Sequence, residues 1–467
     1  MKKIQCLFIA FCILFIGVSC KKENFITSAD ARLSLSTDSI KFDTVFTSVG
    51  SITKSFKIIN SNDQRLKLSA VKLMGGIASP FKININGIAA SKVDNIDIAA
   101  NDSIYVFVSV TVNQTTANLP FILSDSIAVN YNGNTRFIQL QAFGQNANFL
   151  NNAVITGNTT WNSPLPYVIL GSLRVDNIAR LTIAAGTKIY SHGNAPFIVD
   201  GTLVVNGTKA KQVLFTGDRL DEPYNNLPAG WPGIYFRGIS KDNQIKFAII
   251  KNAYQAVVVQ QPSVNANPKL IMHQSIIDNA FDAGLLFTNT SVQADNCLIS
   301  NCGSNILIQL GGNYSFTNCT AASFSNSLLL HKTPVLTVSN FMEVNGSSAM
   351  ANINALFLNC IFWGDNGLTD NEVMINRQGS NTFNVSLDHC LYKALNDPSN
   401  AILVSVIKNQ DPSFDSIDVT HKYYDFRITK NTVAPGINKG NVVSFLKDLD
   451  DNNRSNGLPD IGCYEKQ

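Results

Sequence analysis

From Ala248 onward the chain repeats one short phrase: a small residue, a pair of aliphatics, a polar residue and an asparagine. Ala248-Ile249-Ile250-Lys251-Asn252 aligns with Ser275-Ile276-Ile277-Asp278-Asn279 and with Cys297-Leu298-Ile299-Ser300-Asn301. Cys319, Cys360 and Cys390 take the first position of later copies, and successive first positions lie 27, 22, 22, 41 and 30 residues apart. A second apolar column runs through Val257-Val258-Val259, Leu285-Leu286-Phe287, Ile306-Leu307-Ile308, Leu328-Leu329-Leu330 and Val373-Met374-Ile375. Short strands recurring at this period predict a right-handed parallel β-helix with one coil per copy. A leucine-rich repeat would need its own Leu and Asn spacing and a helical segment per copy, and neither is present. Neighbouring coils lie about 4.8 Å apart, so equivalent side chains stack. The Ala/Ser/Cys column is expected to face inward near a corner. Asn252, Asn279 and Asn301 are expected to form an amide ladder that satisfies turn backbone groups.

Upstream the texture differs. Between Leu33 and Gly144 apolar and polar residues alternate in short runs such as Ile104-Tyr105-Val106-Phe107-Val108-Ser109-Val110, separated by turns such as Asn132-Gly133-Asn134. This pattern predicts a β-sandwich of immunoglobulin type, without a Cys-Trp-Cys core. The expected fold class is all-β. The expected order is a signal segment (1–19), a polar tether (20–30), an immunoglobulin-like sandwich (31–147), a β-helix (150–410) and a C-terminal capping segment (411–467).

The first segment changes the picture of address. Lys2 and Lys3 precede an apolar run from Cys6 to Ile16, which is too short to span a bilayer. Its end, Gly17-Val18-Ser19-Cys20, resembles a bacterial lipobox. That resemblance implies cleavage before Cys20 and acyl chains on its sulfur, each buried CH₂ contributing about 0.8 kcal/mol. Outer-membrane lipid, reached through Cys20, is therefore an expected partner, with the face of the membrane left open. Loss of Lys2 and Lys3 takes the formal charge from +3 to +1, and only 15% of residues are charged. Such a chain offers no electrostatic footprint for nucleic acid. Six cysteines remain beyond Cys20, and those of the repeat column are expected to be buried free thiols, because stacked parallel strands orient them poorly for disulfides. Cys302 and Cys463 lie off the column and are the expected exceptions.

Several stretches carry a family resemblance. Phe42-Asp43-Thr44-Val45-Phe46 and Asn101-Asp102-Ser103-Ile104-Tyr105-Val106-Phe107 resemble the immunoglobulin-like modules of Bacteroidetes surface lipoproteins. The stretches Phe215 to Tyr224, Trp231 to Phe236 and Ile245 to Ala253 resemble exported right-handed β-helix lipoproteins of the same bacteria. So do Tyr424-Asp425-Phe426-Arg427-Ile428, Asp448 to Arg454 and Pro459 to Glu465. Val433 to Gly440 departs in part from the family's Ser-Pro-Ala-Ile-Asp-x-Gly, and Cys463 replaces an alanine. The resemblance implies architecture and address, and no reaction.

Chemistry is sparse. The Gly-His-Gly and Arg-x-Lys segments of polygalacturonase-like hydrolases are absent, as is an Asp cluster of the kind calcium-dependent lyases need. The densest set lies in the Gly217 to Trp231 insertion. There Arg219, Asp221, Glu222, Tyr224 and Trp231 form a candidate sugar cleft, with aromatic rings stacking on a pyranose. The alternative is a structural flap in which Arg219 pairs with an acid and Trp231 covers a coil. His192 is expected near this loop, and His389 is expected to point outward with no evident partner. Asp448, Asp450 and Asn452 fall on alternate positions like the start of a calcium loop, but Asn453 and Pro459 stand where an EF-hand needs Gly and Glu. A looser calcium site that includes Asp460 is a candidate, and no other cofactor is implied. The expected function is a lipid-anchored envelope module that binds glycan without cleaving it. A polysaccharide lyase or glycoside hydrolase, or a structural spacer, are the alternatives.

Overall fold

The computed structural model describes residues 24–47, 50–113, 120–430, 433–444, 447–454 and 458–467. The signal segment and Cys20 lie outside the described residues. The chain divides into two units, Met1–Asn146 and Ala147–Gln467.

The first unit is a β-sandwich. One sheet runs in the order Phe25–Ile26, Arg65–Leu73, Phe121–Tyr131, Asn134–Gln145 and Ser39–Phe46, with Lys92–Ile98 added to Arg65–Leu73. The other runs Leu33–Leu35, Lys54–Asn60, Asp102–Val110, Phe81–Ile85 and Ile88–Ala89. Alternation does the folding: in Asp102–Val110 the residues Ile104, Val106, Val108 and Val110 turn inward to meet Phe56, Ile58 and Phe81. Asn132 and Gly133, both at positive φ, close the tight hairpin between Tyr131 and Asn134.

The second unit is a parallel β-helix, a single sheet of 26 strands wound into coils. Phe197–Val199, Thr202–Asn206 and Val213–Gly217 form one coil. They pair in parallel with Ile234–Phe236, Asn243–Lys246 and Ala248–Lys251 of the next. The interior is aliphatic and aromatic throughout, with stacked rings such as Phe316 on Phe357 at 5.3 Å.

The small-residue column follows the expected register. Ile249 pairs with Ile276, Ile276 with Leu298, Leu298 with Thr320, Thr320 with Ile361 and Ile361 with Leu391. The residues just before these, Ala248, Ser275, Cys297, Cys319, Cys360 and Cys390, therefore stack. The residue preceding each is left-handed: Phe247, Gln274, Asn296, Asn318, Asn359 and His389 have φ between 45° and 55°. That conformation costs most L-residues about 1–2 kcal/mol, and asparagine tolerates it best. The carbonyl one residue further back accepts a backbone N–H from the neighbouring coil, and where the small residue is Ser or Cys it is a second donor to the same oxygen. Ser275 Oγ donates to His273 O at 2.8 Å, and the Cys297, Cys319 and Cys360 thiols donate to Asp295, Thr317 and Leu358 at 3.3, 3.4 and 3.3 Å. Serine and cysteine thus do one job at this corner. All six described cysteines are free and buried, so Cys302 and Cys463 are not exceptions. Burial pushes the Cys302 and Cys463 thiols up.

Two expectations need correction. The second apolar column does not include Leu328-Leu329-Leu330. Ile306 pairs with Leu336, and Leu336-Thr337-Val338 fills that place. Asn326 Oδ1 accepts from the backbone N–H of Leu328 and Leu329, holding them in a loop instead. The C-terminal segment lies along the flank of the coils rather than over their end. Its Leu449, Ile461 and Cys463 cover outward-facing Leu298, Ala322, Ile361 and Leu391. The left-handed corner side chains hold it: Gln274 donates to Asp448 O, Asn318 to Asp460 O and Asn359 to Asn441 O.

Candidate functional site

The Gly217–Trp231 insertion leaves the coil where Ser191 pairs with Gly217, so the following residues, His192 and Asp218, meet at its root. His192 Nδ1 lies 2.7 Å from Asp218 Oδ2. The histidine side chain is 51% exposed and the aspartate 7%. Burial pushes the Asp218 carboxyl above its usual range, against the hydrogen bond from His192.

The five residues predicted as a sugar cleft separate into three groups. Arg219 holds Asp221 through two hydrogen bonds of 2.7 and 2.9 Å, and its guanidinium lies 3.8 Å from the centre of the Tyr224 ring. Glu222 accepts from Asn225 at 2.7 Å. Trp231 is 1% exposed, and its Nε1 donates to Lys251 O at 2.9 Å. A ring packed into the core offers no face to a pyranose, so Trp231 is not a stacking platform. Two members of the expected amide ladder, Asn252 and Asn279, pin the loop down, whereas Asn301 Oδ1 accepts from Phe324 N–H instead. Asn252 donates to Asn225 O at 2.8 Å, Asn279 to Asn226 O at 3.0 Å, and Asn279 also to Asn252 Oδ1 at 2.8 Å. The loop's chemistry is spent on itself and on the coil beneath it.

The calcium candidates do not converge either. Asp448 Oδ1 accepts from the N–H of Asp450 and Asn452, and its Oδ2 from Glu465 N–H. Asp460 accepts from the N–H of Asn438 and Lys466. Asp450 is paired with Arg427 at 2.6 Å and with Lys209. A cation approaching these oxygens would meet N–H donors and ammonium groups, so the set does not fit calcium. Among the described residues no cluster of three His, Cys, Asp or Glu is placed to hold a metal. These acids knot the C-terminal segment, with the buried Arg454–Glu465 pair at 2.9 Å. His389 also has a partner, Asp388, at 2.6 Å.

The open site lies elsewhere, on a face that carries no conspicuous motif. A groove of about 690 Å³ runs over the strands Ala283–Asp295, Ser304–Thr317 and Ile353–Leu358, within the range of ligand sites. Its floor is a register column: Ser291 pairs with Asn313, and Asn313 with Asn354. Asn384 continues the column on the next coil. One wall is the 262–268 loop, where Asn265 and Asn267 donate to Asp242 at 2.8 to 3.0 Å. Asn352 stands on the opposite side, its Oδ1 accepting from Thr382 N–H at 3.0 Å. Asn313 and Asn354 are exposed. The one ring in the lining, Tyr314, is 4% exposed and donates to Gly311 O. The lining contains no acid, base or cysteine. It can bind through amides and hydroxyls, and it holds no acid–base pair. Sequence reasoning missed it because its residues read singly as turn-formers. The signal was the register: counting back from each left-handed corner puts Ser291, Asn313 and Asn354 in one row.

No protein-family model matches the sequence, and no curated protein matches it. Similar solved structures include PapD-like domain 7 of human CEP192, at 12% identity and a TM-score of 0.20 over 28% of this chain and 97% of that one. A second is the catalytic unit of a GH87 α-1,3-glucanase from Streptomyces thermodiastaticus strain HF3-3, at 8% identity and a TM-score of 0.19 over 79% and 91%. A third is the gp54 tailspike of Acinetobacter baumannii bacteriophage AP22, solved with a capsular saccharide, at 13% identity and a TM-score of 0.19 over 80% and 66%. Similarity this low carries no activity over to this chain.

Proposed function

We propose that this chain is a glycan-binding protein of the cell envelope, anchored through lipid on Cys20, which holds its ligand without cleaving it. An immunoglobulin-type sandwich follows the anchor in the chain, and the β-helix carries the binding face. One observation carries the reading: an open groove floored by an in-register row of Ser291, Asn313 and Asn354. Primary amides donate and accept, as sugar hydroxyls do, so such a row suits a polyhydroxylated chain. Cleavage of a glycosidic bond needs a positioned acid and base, and the lining supplies neither. The lipobox supports the address. The test is affinity electrophoresis of the detergent-solubilised mature protein through gels containing polysaccharides. Retention should be lost in Asn313→Ala/Asn354→Ala, with no reducing or unsaturated sugar formed. A Cys20→Ala protein that stays with the membrane would remove the anchor from the reading.

A second reading, cleavage, has one observation in its favour. The exposed His192 is held through Nδ1 by buried Asp218, which leaves Nε2 toward solvent. Sugar release that disappears in His192→Ala would favour it over binding alone.

A further inference from the structure

We infer that the groove takes an uncharged, unbranched glycan chain lying along the axis of the coils. This rests on the glycan-binding reading and names its ligand class.

Charge narrows the ligand first. No Lys, Arg, His, Asp or Glu lines the groove. Other hollows of the same unit are different. The cleft beside the Asn252 ladder is lined by Lys251, Asp278, His421 and Lys422, and the hollow at Trp363 by Asp365, Asp370 and Lys393. A polymer bearing carboxylates or sulfates gives up hydration when it binds and needs cationic donors in return. The groove has none. The one carboxylate behind its wall, Asp242, accepts three amide hydrogen bonds, and those from Asn267 and Asn265 hold it below the usual carboxylate range.

Spacing narrows it further. Ser291, Asn313, Asn354 and Asn384 succeed one another at the coil repeat of about 4.8 Å. That step is close to the length one pyranose adds to a linear chain, so consecutive sugars meet equivalent side chains. A branch would have to pass the walls at 262–268 and Asn352. The lining also presents no open aromatic ring. With Tyr314 buried, no single sugar gains a stacking face, and affinity accumulates along the chain.

The experiment runs the mature protein through gels containing neutral unbranched polymers (pullulan, glucomannan, a mixed-linkage β-glucan), the branched neutral galactomannan, or acidic polymers (polygalacturonate, alginate). Retention by galactomannan as strong as by the unbranched polymers overturns the unbranched part of the ligand class. The expected result is retention by a neutral polymer, unchanged between low and high salt, with short oligosaccharides competing poorly. Asn313→Lys/Asn354→Lys should weaken that retention on the order of tenfold and create retention on polygalacturonate. Retention by acidic polymers alone, or retention that collapses with salt, overturns the ligand class and leaves glycan binding standing. Neutral retention that the lysine variant does not change overturns the groove as its site. No retention by any polymer overturns both.

Discussion

The 217–231 loop and the groove over Ser291, Asn313 and Asn354 are near opposites. The loop holds an arginine, three acids and two aromatics, the residue types from which active sites are made. The groove holds asparagine, serine and threonine, which elsewhere make turns. Yet the loop's strong groups satisfy one another: Arg219 is held by Asp221 and lies over Tyr224, and Trp231 is sealed in the core. The groove's weaker groups stand in a row with open space above them. Strongly interacting residues close together in sequence tend to find each other first. The capacity to bind a ligand belongs to groups that the fold holds apart.

The largest effect that sharpens this contrast is at Trp231. Trp231→Ala opens a core cavity and frees the Lys251 carbonyl, and should cost about 3–5 kcal/mol in denaturant unfolding. Glycan retention by the fraction still folded should not change. If retention is lost while the fold holds, the loop is the site after all. Next comes Asn313→Ala/Asn354→Ala. Each lost hydrogen bond is worth about 0.5–1.5 kcal/mol, so affinity should fall roughly ten- to a hundredfold, while stability moves by less than about 0.5 kcal/mol because both residues are exposed. Titration calorimetry and thermal melts on one preparation check both halves. Arg219→Ala should be smaller, below about 1 kcal/mol of stability for a partly exposed ion pair and nothing in binding. The smallest expected effect is none. With no acid or base in the lining, affinity should stay flat from about pH 5 to 8, where histidine side chains titrate. A slope in that window would move the site toward His192 and Asp218.

Much of the fold was legible because the β-helix writes its register into the chain. The small-residue column marks this corner of each coil, and a hydrogen bond to the carbonyl two residues back explains why Ser and Cys recur there, Ala248 being the copy without a donor. The reading failed at Leu328 to Leu330, where three leucines match the column in hydrophobicity. Asn326, by capping their N–H groups, decides against a strand. Hydrophobicity alone does not distinguish a coil from an insertion between coils. The flank position of the C-terminal segment was hidden for a similar reason. It depends on outward-facing Leu298, Ile361 and Leu391, which read as ordinary strand residues. The groove was hidden because its residues belong to three coils and are joined only by register.

A solenoid of stacked coils is close to one-dimensional, since each coil touches only its neighbours and can in principle melt from an end. The C-terminal segment breaks that rule. Its bonds to Gln274, Asn318 and Asn359 join residues 174, 142 and 82 positions apart. Coils that it spans cannot open one at a time without releasing it, so this stretch should unfold as a single block. The same ties can form only after the last residues have been made and the coils beneath them are in register. Such distant closures slow folding, and the finished stretch resists fraying in proportion to how late it was completed.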